Sequence, residues 1–133
     1  MKSDDARRML EAARKQAVEM QKAVSIVVVD TQGIPVALER VGDPAAFTTV
    51  VAEGKASAAA FTGRDSAQLQ GMAERFPAMV TSLATRLGGR FMPVQGAVVL
   101  TDASGVVGAI GVSGATAEED ETIAKAGQAA QGG

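Results

Sequence analysis

The sequence predicts an α+β fold, residues 1–133 as one domain, with helices packed on an antiparallel sheet of about five strands. Three observations predict it. Valine-rich segments are followed by Asp-x-x-Gly, the chemistry of a tight hairpin turn rather than of a helical crossover. Segments of helical period flank these hairpins, so the order reads α, ββ, several helices, βββ, α instead of the strict alternation of a doubly wound sheet. A chain of 133 residues also buries roughly two-thirds of its unfolded surface, enough to fold without metal or disulfide.

The first helix is expected to start at Ser3 as N-cap, with Asp4 and Asp5 in its first turn and Ala6, Met9, Leu10, Ala13, Ala17 and Met20 at helical spacing. Its Arg7, Arg8, Glu11, Arg14 and Lys15 read as a solvated face. Val24 to Val29 is continuously apolar apart from Ser25 and suits a strand covered on both faces. Asp30-Thr31-Gln32-Gly33 then turns the chain into Ile34 to Arg40, where Pro35 places this strand at an edge because it donates no ladder hydrogen bond. Asp43-Pro44 predicts a helix start and Gly63 its end, with Phe47, Val50, Val51, Gly54, Ala58 and Phe61 as the buried stripe.

The remaining residues of that helix are small, among them Ala52, Ala56, Ser57, Ala59 and Ala60, which permits close approach to the sheet or to another subunit. Lys55 lies among them. Asp65 or Ser66 is expected to cap a short helix ending near Arg75, and Pro77 to open another reaching Leu87. After Gly88-Gly89-Arg90 come strands at Phe91 to Val94, Ala97 to Leu100 and, past the Asp102 to Gly105 turn, Val106 to Val112. Thr116 and Glu119 form a capping box at the head of the last helix.

Composition excludes several classes of function. A net charge of -2 without a basic cluster argues against a nucleic-acid partner, and no apolar run approaches a membrane span. The opening MKSDDARRML lacks the pattern of an export signal, so the chain reads as cytoplasmic. Histidine, cysteine, tyrosine and tryptophan are all absent, which removes the usual zinc sites and the histidine-based nucleophile systems. No metal site is expected, and acid–base chemistry falls to Asp, Glu, Lys or Arg.

Gly105, Gly108, Gly111 and Gly114 are spaced by three, unlike the closely paired glycines of a dinucleotide-binding turn. Glu118 to Glu121 moreover occupy the positive end of the following helix and repel a phosphate there. The glycines instead admit a packed helix, a neighbouring subunit or a flat ligand. Arg40 and Lys55 are the candidate cations for an anionic substrate group, with Asp43 or Ser57 near them. Alternatively both pair with acids such as Glu39, Glu53 or the cluster of the last helix.

The segment from Gly89 through Gly96, followed by GVVGAIGVSGATAEEDE and Ala124 to Gly127, resembles the ending of the GlcG/HbpS-like haem-degrading domain family, itself related to the C-terminal domain of PduO-type adenosyltransferases. Val27 to Asp30 with Gly33, the Arg40 to Ala45 loop and Lys55-Ala56-Ser57-Ala58 extend the resemblance over nearly the whole chain. It implies a profilin-like α-β-α layer fold, assembly into dimers, tetramers or octamers, and a small organic ligand, haem or a corrinoid in some relatives. Carried onto this sequence, the pocket positions are Arg40, Lys55 and Thr62, with Gly108 and Gly111 as points of backbone approach. The histidine by which relatives hold haem iron is missing, leaving Thr62, Thr48 or Met92 as the corresponding positions to consider. Three readings follow: a tetrapyrrole or other small-ligand binder using Arg40 and Lys55; a metal-free catabolic enzyme with Lys55 as general base and Arg40 and Asp43 beside it; and an assembly or sensory module without pocket chemistry.

Overall fold

The computed structural model describes residues 1–132. Helix α1 (Ser3–Glu19) leads into strands β1 (Val24–Val29) and β2 (Pro35–Val41), then helix α2 (Phe47–Thr62). A 3₁₀ turn (Ser66–Leu69) and helices α3 (Gln70–Arg75) and α4 (Pro77–Arg86) follow, before β3 (Ala97–Asp102), β4 (Gly105–Ser113) and helix α5 (Ala117–Ala129). The sheet is antiparallel with order β2-β1-β4-β3. β2 is an edge strand, as its proline requires.

Side chains alternate across the sheet and define a core on each face. Val24, Ile26 and Val28 of β1, with Val98, Leu100, Ile110 and Val112, pack against Met9, Leu10 and Ala13 of α1 and Ile123 and Ala124 of α5. Val27 and Val29, with Ala97, Val99 and Ala109, meet Ala52, Ala56, Ala59 and Ala60 of α2 on the other face. β1 is therefore buried throughout, which explains its unbroken valine run. A third, smaller cluster of Ala58, Leu69 and Phe91 brings α3 and α4 over the outside of α2.

Hairpin chemistry is as expected. Asp30 Oδ1 accepts hydrogen bonds from the amides of Gln32 and Ile34 at 2.8 and 3.0 Å, and Gly33 takes φ +75°. Gly63 ends α2 at φ +69°. The capping box of α5 is formed in both directions.

Four expectations are corrected. The sheet has four strands, not five: Phe91 to Val94 forms no strand, because Met92 N donates to Gly54 O at 3.0 Å and ties this segment to α2 instead of to a sheet edge. Helix α2 starts at Phe47, not at Asp43-Pro44, and the Pro44 carbonyl instead accepts from Arg40 Nη2 at 2.9 Å. Ser3 is the first residue of α1 and Lys2 stands at its cap, without a side-chain bond. Asp65 and Ser66 cap no helix either. Asp65 Oδ1 accepts from Val99 N at 2.9 Å and Ser66 Oγ from Ala97 N at 2.9 Å, closing the outer edge of β3.

Candidate functional site

Helix α2 inverts the stripe that its large residues suggest. The small residues go inward, while Phe47 and Val50 are 67% and 69% exposed and Phe61 is 40% exposed. The cause is how close the helix lies to the sheet. A Cβ added to Gly111 would meet Ala52 O at 2.4 Å and Ala56 Cβ at 2.9 Å, so only glycine below and alanine above fit this contact. Gly108 likewise faces a backbone: a Cβ there would stand 2.1 Å from Val29 O, the neighbouring strand. Both glycines admit elements of the chain itself, and Met92 fills the notch that Gly54 leaves on the outside of α2.

Lys55 is directed inward by the same packing. Its side chain is 4% exposed, and its Nζ donates to Asp120 Oδ2 at 3.1 Å and to Val112 O at 3.0 Å. A Cβ on Gly96, which takes φ +135°, would stand 2.6 Å from that Nζ, so the glycine makes room for the ammonium. Asp120 Oδ1 accepts from Ala115 N at 3.0 Å. Burial pushes the Asp120 carboxyl above its ordinary value, outweighing the Ala115 amide and the Lys55 ammonium that favour its ionised form. The pair joins α2, β4 and α5 across the protein interior. Of the acid cluster at the head of α5, Asp120 turns in to Lys55, Glu119 closes the capping box and pairs with Lys22 at 3.3 Å, and Glu121 accepts from Gln95 at 3.1 Å.

Arg40 has a separate environment. It is exposed on β2, opposite Ser25 in the ladder, and its guanidinium donates to Pro44 O. Glu39, on the other face of the strand, is taken by Arg14 at 2.9 Å. Asp43 is exposed in the loop between β2 and α2. Thr62 bonds back to Ala58 O at 2.8 Å within its own helix. The structure thus does not aim Arg40 and Lys55 at one opening: Lys55, Gly108 and Gly111 are internal, whereas Arg40 and Asp43 lie on the surface near the start of α2.

That start is fixed by hydroxyls that the sequence reading passed over. Thr48 Oγ1 donates to Ala45 O at 2.6 Å, and Ser25 Oγ lies 2.9 Å from both Thr48 Oγ1 and Thr49 Oγ1. With the Thr48 proton committed, Ser25 donates to Thr48 and accepts from Thr49, a chain in which each hydroxyl donates once. The signal for it was Ser25, the one polar residue in an otherwise apolar strand. With α2 seated this way, Val50 is left exposed on the helix, and Leu38 of β2, two residues from Arg40 on the same face of the strand, is 44% exposed. The surface thus carries exposed apolar residues on α2 and β2 and an exposed cation, Arg40. Among the described residues no group of three acids, histidines or cysteines could hold a metal ion, and no helix is long and apolar enough to cross a membrane.

Known structures share this architecture. The Klebsiella pneumoniae protein ORFY superposes with a TM-score of 0.87 at 23% identity, covering 98% of this chain and 89% of that one. HbpS gives 0.88 at 25% identity, over 100% and 91% of the two chains. PduOC, solved as a complex with haem, gives 0.85 at 24% identity, over 98% and 94%. A search of curated proteins returned no match. Residues 1–129 match the family model described as haem-degrading protein HbpS-like, and the chain therefore belongs to the HbpS-like haem-degrading protein family.

Proposed function

We propose that this chain is a homo-oligomeric protein that binds a haem-related organic anion, with Arg40 meeting the ligand's carboxylate and the outer face of α2 meeting its apolar body. The observation that carries this reading is the exposure of Phe47 and Val50 on α2, the helix that follows the loop anchored by the exposed Arg40. A large apolar surface next to a cation matches a flat macrocycle bearing carboxylates, and exposed apolar patches of this kind are also where subunits meet. Assembly is supported by the sheet edges. The outer edge of β3 is closed by Asp65, Ser66, Gln128 and Gln131, whereas no such partners cover β2 among the described residues.

The fit to haem is one of shape and charge. The apolar face and Arg40 suit the macrocycle and its propionates, but the sequence has no histidine, cysteine or tyrosine to ligate the iron. The proposal is accordingly one of binding, with no reaction step drawn through the iron. Lys55 contributes by holding α2 in place, its ammonium being engaged by Asp120 and Val112.

Titrating haem into the purified protein while following the Soret band tests the reading. The expected result is a saturable shift, weakened about tenfold by Arg40→Ala and abolished by Val50→Asp. No shift, or a shift that both variants leave unchanged, overturns it. Light scattering coupled to size exclusion tests the assembly: an oligomer that Phe47→Asp converts to a monomer is expected, and a monomeric parent refutes it.

A further inference from the structure

Between the start of α2 and the end of β4 lies a cavity of about 370 Å³, lined by Ala23, Pro44, Thr48, Ser113 and Gly114 among others. Three features of it converge. Among the described residues the amides of Ala45, Ala46 and Phe47 have no hydrogen-bond acceptor, since the first bonds of the helix run from Thr48 N to Ala45 O and from Thr49 N to Ala46 O. No side chain of the described residues caps them. They carry the positive end of a helix of 16 residues. Ser113 is 6% exposed, yet its hydroxyl has no hydrogen-bond partner among the described residues, although Ser25 opposite it in the ladder is fully engaged. A hydroxyl so nearly buried ordinarily finds a partner within the fold. Because the buried side-chain polar atoms are all satisfied, the Ser113 oxygen is one that still reaches open space, and the space it lines is this cavity. Finally, the Arg40 guanidinium stands at the rim, held by the carbonyl of Pro44, a lining residue.

We infer that this cavity is a binding site for a single carboxylate group. The free amides and the Ser113 hydroxyl donate to its oxygens, and Arg40 balances its charge from the rim. A monoanion is selected over a phosphate dianion by what lies on the far side. Ala115 lines the cavity and leads directly into α5, whose Glu118, Glu119 and Asp120 supply negative charge that, among the described residues, Lys22 and Lys55 offset in part. The carboxylate can belong to a short organic acid or to a side arm of a larger ligand seated on α2. The site does not depend on the haem reading, and the test separates the two.

The experiment follows backbone amides by NMR while sodium propionate is added to the full chain. Saturable shifts centred on Ala45, Ala46, Phe47 and Ser113 are expected. Ser113→Ala, which removes only an unpartnered oxygen and should fold normally, is expected to weaken binding about tenfold by deleting a hydrogen bond to a charged group. Ala45→Glu places a competing carboxylate at an exposed position beside the cavity and is expected to abolish it. Absence of saturable shifts at these amides, or equal affinity in parent and Ser113→Ala, overturns the inference. Haem and its dimethyl ester separate the two sources: shifts at the same amides with haem but not with the ester support a side-arm carboxylate in this site. Haem binding that leaves unmoved the amides that propionate shifts supports a site for a short organic acid, separate from the haem surface, and leaves the proposed function standing.

Discussion

Replacing Asp120 with alanine should be among the most damaging single changes available outside the apolar core. The substitution leaves the Lys55 ammonium 4% exposed, with one backbone carbonyl as its remaining partner. Breaking a buried ion pair from one side costs about 3–5 kcal/mol, because the remaining charge keeps its desolvation penalty and loses the compensating attraction. The Ala115 amide also loses its acceptor. Against a total stability of roughly 5–15 kcal/mol, this removes about a fifth of the margin or more. At roughly 3–5 °C per kcal/mol for a chain of this size, the melting temperature should fall by roughly 10–20 °C.

The measurement is a urea or thermal unfolding series on the parent, Asp120→Ala, Asp120→Asn, Lys55→Met and the double variant Lys55→Met/Asp120→Asn, the last three closing a cycle with the parent. Lys55→Met should cost less than Asp120→Ala, because the carboxyl left behind already has a raised pKa and can neutralise itself by taking up a proton. The double variant leaves no unpaired charge and should recover most of the loss, giving a coupling energy well above the additive expectation. A cost below about 1 kcal/mol for Asp120→Ala, or no coupling in the cycle, would refute the claim that this pair fastens α2 to α5.

Other perturbations test separate parts of the fold. Comparing the parent with Asp120→Asn across pH isolates the carboxyl: its folded value is raised, so its contribution is complete below the unfolded value and lost as pH rises through the folded one. The parent should therefore gain on the variant as pH is lowered, and a constant difference in urea midpoints would contradict this. Glu119 has the opposite sign. Hydrogen bonds from the Thr116 amide and hydroxyl region hold its carboxyl below the ordinary value, so its contribution is present above the unfolded value and lost as pH falls through the folded one. Thr116→Ala should cost about 1 kcal/mol in urea denaturation by removing the helix cap, and an unchanged midpoint would count against the capping box. Gly111→Ala should destabilise by about 1–3 kcal/mol or more, because the new methyl would sit 2.4 Å from Ala52 O unless α2 shifts. A neutral result by thermal melting would mean that α2 has more freedom over the sheet than its contacts show.

Much of the fold was legible because it rests on local chemistry. The valine run of β1, the Asp-x-x-Gly turns, Pro35 on an edge strand, Gly63 ending α2 and the capping box of α5 each depend on residues within a few positions of one another. The errors arose where a distant partner took over. Phe91 to Val94 has strand composition but is bonded to Gly54 of α2, and Asp65 and Ser66 have capping chemistry but are occupied by the edge of β3. Met92, one of the positions that the resemblance leaves for an iron ligand, is packed on Gly54.

The candidate site divides in the same way. The sequence by itself determined the family signature, the glycine strand, the absence of histidine and the prominence of Lys55 among small residues. It also offered both fates for that lysine, a ligand contact or a partner in the last helix. Only the tertiary structure decided between them, since the direction of a lysine on a helix depends on which face the sheet takes. Here contact between Gly111 and Ala52 and Ala56 sets α2 down on its small side, carrying Lys55 inward to Asp120 and leaving Phe47 and Val50 outward. Hydrophobic periodicity assigned the large residues to the interior because it weighs transfer free energy alone. The sheet selected the opposite face because close packing depends on volume, and only alanine and glycine fit the space between the helix and β4.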